Sequence, residues 1–183
     1  MNFFKCTAML CLSLAMFACQ PEQAETAKQP SESGSEMPAI DAPAFAGDLL
    51  DGGFFSSRQL EGKAAIINFF ASWCPPCRYE VPDMIELQKE YEQKGFTFVG
   101  VTVDEDLSKA RVFANDSGIN YPVVIANKEI LDAYSQLLQE GLRSIPTSFV
   151  IGKDGRILTF FLGARNKAVF EALIQEALEL QEQ

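Results

Sequence analysis

The chain has 183 residues with 48% hydrophobic side chains, including 15 phenylalanines, so it can form one globular domain with a substantial apolar core. Its formal net charge of -10 repels phosphate backbones, and no nucleic-acid partner is expected. The chain contains no histidine, which excludes Cys-His and Ser-His-Asp catalysis and every His-ligated metal site.

Residues 1–18 have the pattern of a secretory signal. Lys5 stands near the start, and an apolar run extends from Cys6 to Ala18. The run is shorter than the ~20 residues that a membrane-spanning helix needs. A small residue before Cys19 resembles the bacterial lipobox, in which the cysteine is acylated and becomes the first mature residue, so we predict lipidation of Cys19. Ordinary cleavage near Ala18, with Cys19 left as a free thiol, is the alternative.

Residues 19–44 are predicted to be the lipidated N-terminus and a disordered linker. From Gln20 to Ala44 the composition is dominated by Pro, Glu, Gln, Ser and Ala, which is typical of disorder. A flexible coil of this length spans ~25 to 30 Å on average, enough to hold a domain just clear of a membrane. A disordered terminus without a tethering role is the alternative. The folded domain is predicted over residues 45–183.

Strand and helix patterns alternate along the predicted domain. The continuous apolar run over 64–71 is typical of a parallel strand that is buried on both faces. The dipeptide Asp154-Gly155 indicates a hairpin turn. This alternation predicts an α/β fold with a central mixed sheet flanked by helices. The predicted elements, in chain order, are strand 64–71, helix 75–94, strand 96–103, helix 107–116, strand 121–125, helix 129–139, strands 147–151 and 156–162, and helix 166–180.

Two cysteines three residues apart, Cys74 and Cys77, lie where the buried strand leads into a helix. We expect the unpaired N–H groups and the dipole of the helix start to lower the pKa of Cys74. Pro75 and Pro76 suit a first helical turn, because no N–H group is needed there. Cys74 is therefore the candidate nucleophile toward a partner disulfide, and Cys77 the residue that resolves the mixed disulfide. A zinc site would need two further ligands, and a structural disulfide across so short a loop would add little stability.

Together with segments further along, these cysteines resemble the thioredoxin superfamily and, within it, the TlpA/ResA-like thiol-disulfide oxidoreductases of the bacterial cell envelope. The resemblance extends over about residues 40–180. It implies a thioredoxin-like fold with an N-terminal extension and a central strand-helix insertion between Phe113 and Ser144. The matching motifs are Trp-Cys-Pro-Pro-Cys at 73–77, Pro82, Ser-Ile-Pro-Thr at 144–147 and Gly-Ala at 163–164.

The resemblance also implies roles for two further residues. Pro146 would be a cis-proline that faces the cysteines and pairs with the substrate chain. Thioredoxin itself has a buried Asp where this chain has Asn68, and an amide cannot accept a proton. Glu80 is the candidate for that task, because it follows Cys77 by three residues and so shares its helical face. A solvated surface Glu is the alternative, and Trp73 is expected to pack beside the site.

By resemblance, the chain would reduce disulfides in exported cysteine-containing proteins, such as apocytochrome c, without a cofactor. A membrane electron-donor thiol protein of the DsbD/CcdA kind would keep the cysteines reduced, and a lipid on Cys19 would bind the membrane. One alternative is a peroxiredoxin-like peroxidase, although Ala71 stands where a Thr or Ser is usual. Another is a non-catalytic module that binds metal or thiols. The acids 104–106 lead into a helix and are expected to cap it rather than to bind metal.

Overall fold

The computed structural model describes residues 40–179. The predicted signal, Cys19 and most of the predicted linker lie outside the described residues, as does Leu180. No helix within the described range is both long and apolar enough to cross a bilayer. The strands are β1 (Ile40–Asp41), β2 (Ala46–Asp48), β3 (Phe54–Ser56), β4 (Ala64–Phe70), β5 (Phe96–Thr102), β6 (Val123–Ile125), β7 (Thr147–Ile151) and β8 (Arg156–Leu162), and the helices are α1 (Pro75–Tyr91), α2 (Leu107–Ser117), α3 (Lys128–Ser135) and α4 (Lys167–Glu179).

Six of the strands form one mixed sheet in the order β1-β8-β7-β4-β5-β6. Strand β4 lies inside the sheet, parallel to β5 and antiparallel to β7. Strand β6 extends the parallel half, while β8 and β1 extend the antiparallel half. Strands β2 and β3 form a separate hairpin. The predicted mixed sheet flanked by helices is confirmed, and β6 and α3 lie in the stretch between Phe113 and Ser144 where a strand-helix insertion is predicted.

Successive side chains of β4 enter two different apolar cores, and all seven of its residues are buried. Ile66 and Phe70 face the core that is covered by α1, α2 and α4. Ile67 and Phe69 face the core that is covered by α3 and the hairpin. Because both faces of the strand are covered, its sequence is a continuous apolar run. The second core is rich in aromatic rings, with centroids 4.9 to 6.0 Å apart among Phe45, Phe55, Phe69, Tyr134 and Phe149.

The start of the domain differs from the sequence prediction. Ile40 and Asp41, whose surroundings have a linker composition, pair with Ile157 and Arg156 of β8. The sheet therefore begins before the predicted boundary at residue 45. The β2–β3 hairpin is not predicted by the sequence, because strands of three residues are too short to show a period of two.

Several predicted ends are shifted by a few residues. The strand predicted from residue 121 begins at Val123, and the helix predicted over 129–139 ends at Ser135. Beyond that helix, the N–H groups of Leu137 and Leu138 donate to carbonyls only three residues back, so the chain turns. The helix predicted over 75–94 is α1 followed by a short 3-10 turn, and it ends at Gly95 with a φ of 88°.

The hydroxyl of Tyr134 gives a test of the second core. This side chain is fully buried, and its hydroxyl has no hydrogen-bond partner among the described residues. Tyr134→Phe removes the hydroxyl without removing ring carbon, so we expect the free energy of unfolding to rise by about 1 kcal/mol. Urea unfolding at fixed pH measures the change.

Tyr91→Phe is the matched control. The Tyr91 hydroxyl donates to Glu171 Oε1 at 2.9 Å and accepts from Gln175 Nε2 at 3.2 Å. Removing a bonded hydroxyl should lower the free energy of unfolding by about 1 kcal/mol. A loss of stability in both variants would contradict the description of Tyr134 as unpartnered.

Candidate active site

The two cysteines lie at the start of α1, directly beyond the end of β4. Cys74 is the N-cap residue of the helix, and its sulfur accepts a hydrogen bond from the Cys77 backbone N–H at 3.3 Å. Pro75 and Pro76 occupy the first two helical positions, as predicted. A disulfide joins Cys74 to Cys77, with 5.3 Å between their Cα atoms. The sulfur of Cys74 therefore faces the positive end of the helix, where a thiolate would be stabilised.

The predicted cis-proline lies beside this pair. The Ile145–Pro146 bond is cis, which confirms that feature of the resemblance. Cys74 Sγ lies 3.7 Å from the carbonyl oxygen of Ile145, so the segment before β7 contacts the first cysteine directly. The Pro146 carbonyl accepts from Gly163 N–H at 2.8 Å, which joins this segment to the loop after β8. The alternative of an ordinary trans turn distant from Cys74 is excluded.

Glu80 is fully buried in the protein interior. It follows Cys77 by one helical turn on the core-facing side of α1, and both residues have no exposed surface. The side chain accepts hydrogen bonds from Asn68 Nδ2 at 2.8 Å and from the Arg165 backbone N–H at 3.2 Å. The alternative of a solvated surface glutamate is therefore wrong.

Burial controls the acidity of this carboxyl group. Removal from water raises the pKa of Glu80 from 4.5 to about 7, and the hydrogen bonds from Asn68 and Arg165, with the nearby Arg165 charge, only partly oppose that rise. A carboxyl group with a pKa near 7 can accept or release a proton at neutral pH.

Asn68 owes its place to the register of the sheet. It is directly opposite Ser148 across the antiparallel β4–β7 pair, and its Nδ2 also donates to Ser148 Oγ at 2.9 Å. A single amide in a buried strand requires hydrogen-bond partners, and here they are Glu80 and Ser148. In the sequence, Asn68 stands out as a polar residue within an apolar run, which indicates a buried polar contact. Nothing in the sequence around Ser148 identifies it as the partner.

The loop after β8 presents the other donor to Glu80. Arg165 gives its backbone N–H to the carboxylate, while its Nη1 donates to the carbonyls of Leu162, Gly163 and Ala164 at 3.2 to 3.3 Å. The guanidinium group also lies 4.8 Å from the ring centroid of Phe161. Arg165 has no local signal in the sequence, because its contact with Glu80 joins residues 85 positions apart.

The acidic run 104–106 behaves only partly as expected. Asp106 caps α2 by accepting from the Ser108 backbone N–H, as predicted. Asp104 is instead buried, and it accepts from the backbone N–H of Ser72 at 2.8 Å and from the Ser72 hydroxyl at 2.6 Å. It thus contacts the turn that precedes Cys74, a role that the sequence does not predict.

Trp73, expected to pack beside the site, is instead 65% exposed. Leu162 is 52% exposed and pairs with Thr147, the residue after Pro146. Exposed apolar side chains therefore precede Cys74 in the chain and lie on the strand that pairs with the residue after Pro146. Exposed apolar groups next to a reactive centre are typical of a surface that binds another protein.

The acidity of Glu80 predicts a pH-dependent stability of the oxidised protein. In the folded state Glu80 keeps its proton up to about pH 7, whereas in the unfolded chain it releases the proton near pH 4.5. The free energy of unfolding therefore falls as the pH rises between these values. The fall should amount to roughly 3 kcal/mol and should be absent from Glu80→Gln. Urea unfolding at a series of pH values measures the slope.

Glu86→Gln is the control for that experiment. Glu86 lies on the same helix, but it is exposed and forms an ion pair with Lys167 at 2.8 Å. That pairing lowers the pKa of Glu86, so its titration lies below the window in question. The fall between pH 4.5 and 7 should persist in this variant, and an equal loss of slope in both variants would contradict the assignment to Glu80.

Comparisons with known proteins agree with this geometry. The Redoxin family model matches residues 32–174. The thiol-disulfide oxidoreductase ResA of Bacillus thuringiensis (strain Al Hakam) is 32% identical over 137 residues, covering 74% of this chain and 76% of the relative. ResA of Bacillus subtilis (strain 168) is 30% identical over 130 residues, covering 70% of this chain and 69% of the relative.

A solved structure supports the same assignment. A thiol:disulfide interchange protein of the thioredoxin family from Chlorobium tepidum TLS superposes with a TM-score of 0.75 at 44% identity, covering 79% of this chain and 99% of that one. The predicted thioredoxin-like fold is thereby confirmed. The chain belongs to the Redoxin family and is a ResA-like thiol-disulfide oxidoreductase of the thioredoxin superfamily.

Proposed function

We propose that this protein is an envelope disulfide reductase that transfers electrons from the Cys74–Cys77 pair to disulfides in exported proteins. The proposal rests on the placement of Cys74 at the start of α1, 3.7 Å from the Ile145 carbonyl, with the buried carboxyl of Glu80 one helical turn beyond Cys77. This arrangement provides a nucleophile, a surface for the substrate chain and a proton acceptor.

In the first step, the Cys74 thiolate attacks one sulfur of the substrate disulfide. A mixed disulfide forms, and the other substrate sulfur leaves as a thiolate that takes up a proton. The Cys77 N–H group, which lies 3.3 Å from the Cys74 sulfur, stabilises negative charge on the attacking atom. Ile145 and Pro146 are proposed to pair with the substrate chain, because they form the backbone segment in contact with that sulfur.

In the second step, Cys77 loses its proton to the Glu80 carboxylate and attacks Cys74 Sγ. The Cys74–Cys77 disulfide forms and the second substrate sulfur is released, so the substrate gains two electrons and the pair loses two. A base with a pKa of about 7 is suited to this transfer at neutral pH. Asn68 and the Arg165 N–H hold the carboxylate in place on the core side of the helix.

Proteins are proposed as substrates because exposed apolar side chains near Cys74 are typical of a surface that binds another protein. Trp73, directly before Cys74, and Leu162, opposite the residue after Pro146, are both exposed apolar side chains. The relatives named thiol-disulfide oxidoreductase ResA support disulfide exchange. A membrane thiol protein of the DsbD/CcdA kind is proposed to return the pair to the dithiol form.

The envelope location is proposed from the N-terminal sequence. The apolar run that ends at Ala18 and Cys19 has the form of a lipoprotein signal. A lipid on Cys19 would place the domain at the outer face of a membrane, with residues 20–39 between the anchor and β1.

The proposed order of attack predicts different behaviour of two serine variants. When Cys77→Ser is mixed with a model substrate that contains a disulfide, a mixed disulfide through Cys74 should accumulate, because the resolving thiol is absent. Cys74→Ser should form no such adduct and should reduce no substrate. Non-reducing electrophoresis with peptide mass spectrometry identifies the linked cysteine. Full activity of Cys74→Ser would contradict the proposal and revive a thiol-independent binding role.

The anchor predicts fatty-acid labelling of the expressed chain. Cells supplied with a palmitate analogue should label the wild-type protein and release no soluble form, whereas Cys19→Ser should remain unlabelled. Cys11→Ser is the matched control, since Cys11 lies within the predicted signal and is not the acceptor. Labelling of Cys19→Ser at the wild-type level would show that the lipidation site is wrong.

A further inference from the structure

The turn that joins β4 to α1 carries Cys74 at its last position. The Cys74 N–H donates to the Ala71 carbonyl at 3.2 Å, so Ser72 and Trp73 are the two central residues of the turn. Trp73 is largely exposed, whereas Ser72 is buried. The orientation of the turn, and with it the position of the Cys74 sulfur, therefore depends on what holds Ser72.

Asp104 holds Ser72 through two different oxygens. Oδ2 accepts from the Ser72 backbone N–H at 2.8 Å, and Oδ1 accepts from the Ser72 hydroxyl at 2.6 Å. A carboxylate that binds with both oxygens fixes orientation as well as position. The remaining polar group of Ser72, its carbonyl, accepts from Arg78 Nη1 at 3.0 Å. Every polar group of Ser72 is bonded, two of them to one carboxylate.

Asp104 is itself held by the sheet. Its Oδ2 also accepts from the hydroxyl of Thr102, the last residue of β5, at 2.7 Å. Strand β5 pairs with β4 over the whole length of both strands. Through Asp104, the turn is therefore connected by hydrogen bonds to the end of β5. Within residues 40–179, no group of three or more potential ligands could hold a metal ion there, so the carboxylate is accounted for by these three bonds.

We propose that Asp104 is a positioning residue for the nucleophile: its carboxylate fixes the turn 71–74 so that the Cys74 sulfur is aligned with the Cys77 N–H and with the incoming disulfide. This inference rests on the disulfide exchange proposed above. A misplacement of about 1 Å can slow a reaction by about 100-fold. Asp104→Ala releases both bonds to Ser72, so attack by Cys74 should become about tenfold to a hundredfold slower.

The test measures the attack step alone, in the full chain. Every variant carries Cys77→Ser. Oxidised glutathione is added, and mass spectrometry of the Cys74 peptide measures how fast its mixed disulfide with glutathione forms. In this step the Cys74 thiolate bonds to one glutathione sulfur and the other leaves as glutathione thiolate. The melting temperature of each variant is recorded in parallel, so that the rates are compared in folded protein.

Two variants separate positioning from charge and from general stability. Asp104→Asn can keep all three bonds, because its carbonyl oxygen accepts from the Ser72 N–H and Thr102 while its amide donates to the Ser72 hydroxyl. Gln88→Ala removes another buried acceptor that bonds to β5, the Gln88 oxygen that accepts from Phe98 N–H at 2.8 Å. Both should react at close to the parent rate.

The inference holds if Asp104→Ala alone is slowed. It is overturned if Asp104→Ala reacts at the parent rate, if Gln88→Ala is slowed equally, or if Asp104→Asn is slowed equally, which would point to charge. Should Asp104→Ala fail to fold, Ser72→Ala removes only the hydroxyl bond and should still be slowed, and an unchanged rate would overturn the inference. A parent protein without reaction at Cys74 would contradict the proposed function itself.

Discussion

The antiparallel pairing of β4 with β7 is the constraint on which the whole site depends. The register places Asn68 opposite Ser148 and Phe69 opposite Thr147. Because Ile145 and Pro146 directly precede Thr147, they emerge at the end of β4 where the cysteine turn begins. A slip of one residue would exchange the side chains of the two cores and separate Asn68 from Glu80. One strand pairing therefore positions the nucleophile, the proline segment and the buried acid.

Two buried carboxyl groups flank the cysteine pair, and their surroundings differ in a way that fits their proposed tasks. Asp104 accepts three short hydrogen bonds and serves to hold the backbone before Cys74. Glu80 accepts two hydrogen bonds and lies deeper, so desolvation raises its pKa to about 7. A carboxylate with several hydrogen-bond donors can hold a backbone segment in place, whereas a carboxyl group whose charge is poorly stabilised can exchange a proton. The environment thus gives two similar side chains different chemistry.

Much of this architecture could be predicted from the sequence, because its signals are local. The apolar run of β4, the cysteine spacing at a helix start and the Asp154-Gly155 turn each lie within a few residues. The sequence could not decide whether Glu80 is a buried proton acceptor or a solvated surface residue. Its hydrogen-bond donors, Asn68 of β4 and the Arg165 N–H, are far from it in the chain. The β2–β3 hairpin and the role of Asp104 left no local pattern, because both depend on packing between distant segments.

The reduction potential of the Cys74–Cys77 pair determines the direction of electron transfer. The protein is equilibrated against a thiol buffer of known ratio, and the oxidised fraction is read by alkylation and mass spectrometry. We predict a potential near or below about -270 mV, the value typical of a reductant such as thioredoxin. A potential near about -120 mV would contradict it, because the pair would then oxidise the thiols of its partners instead of reducing their disulfides.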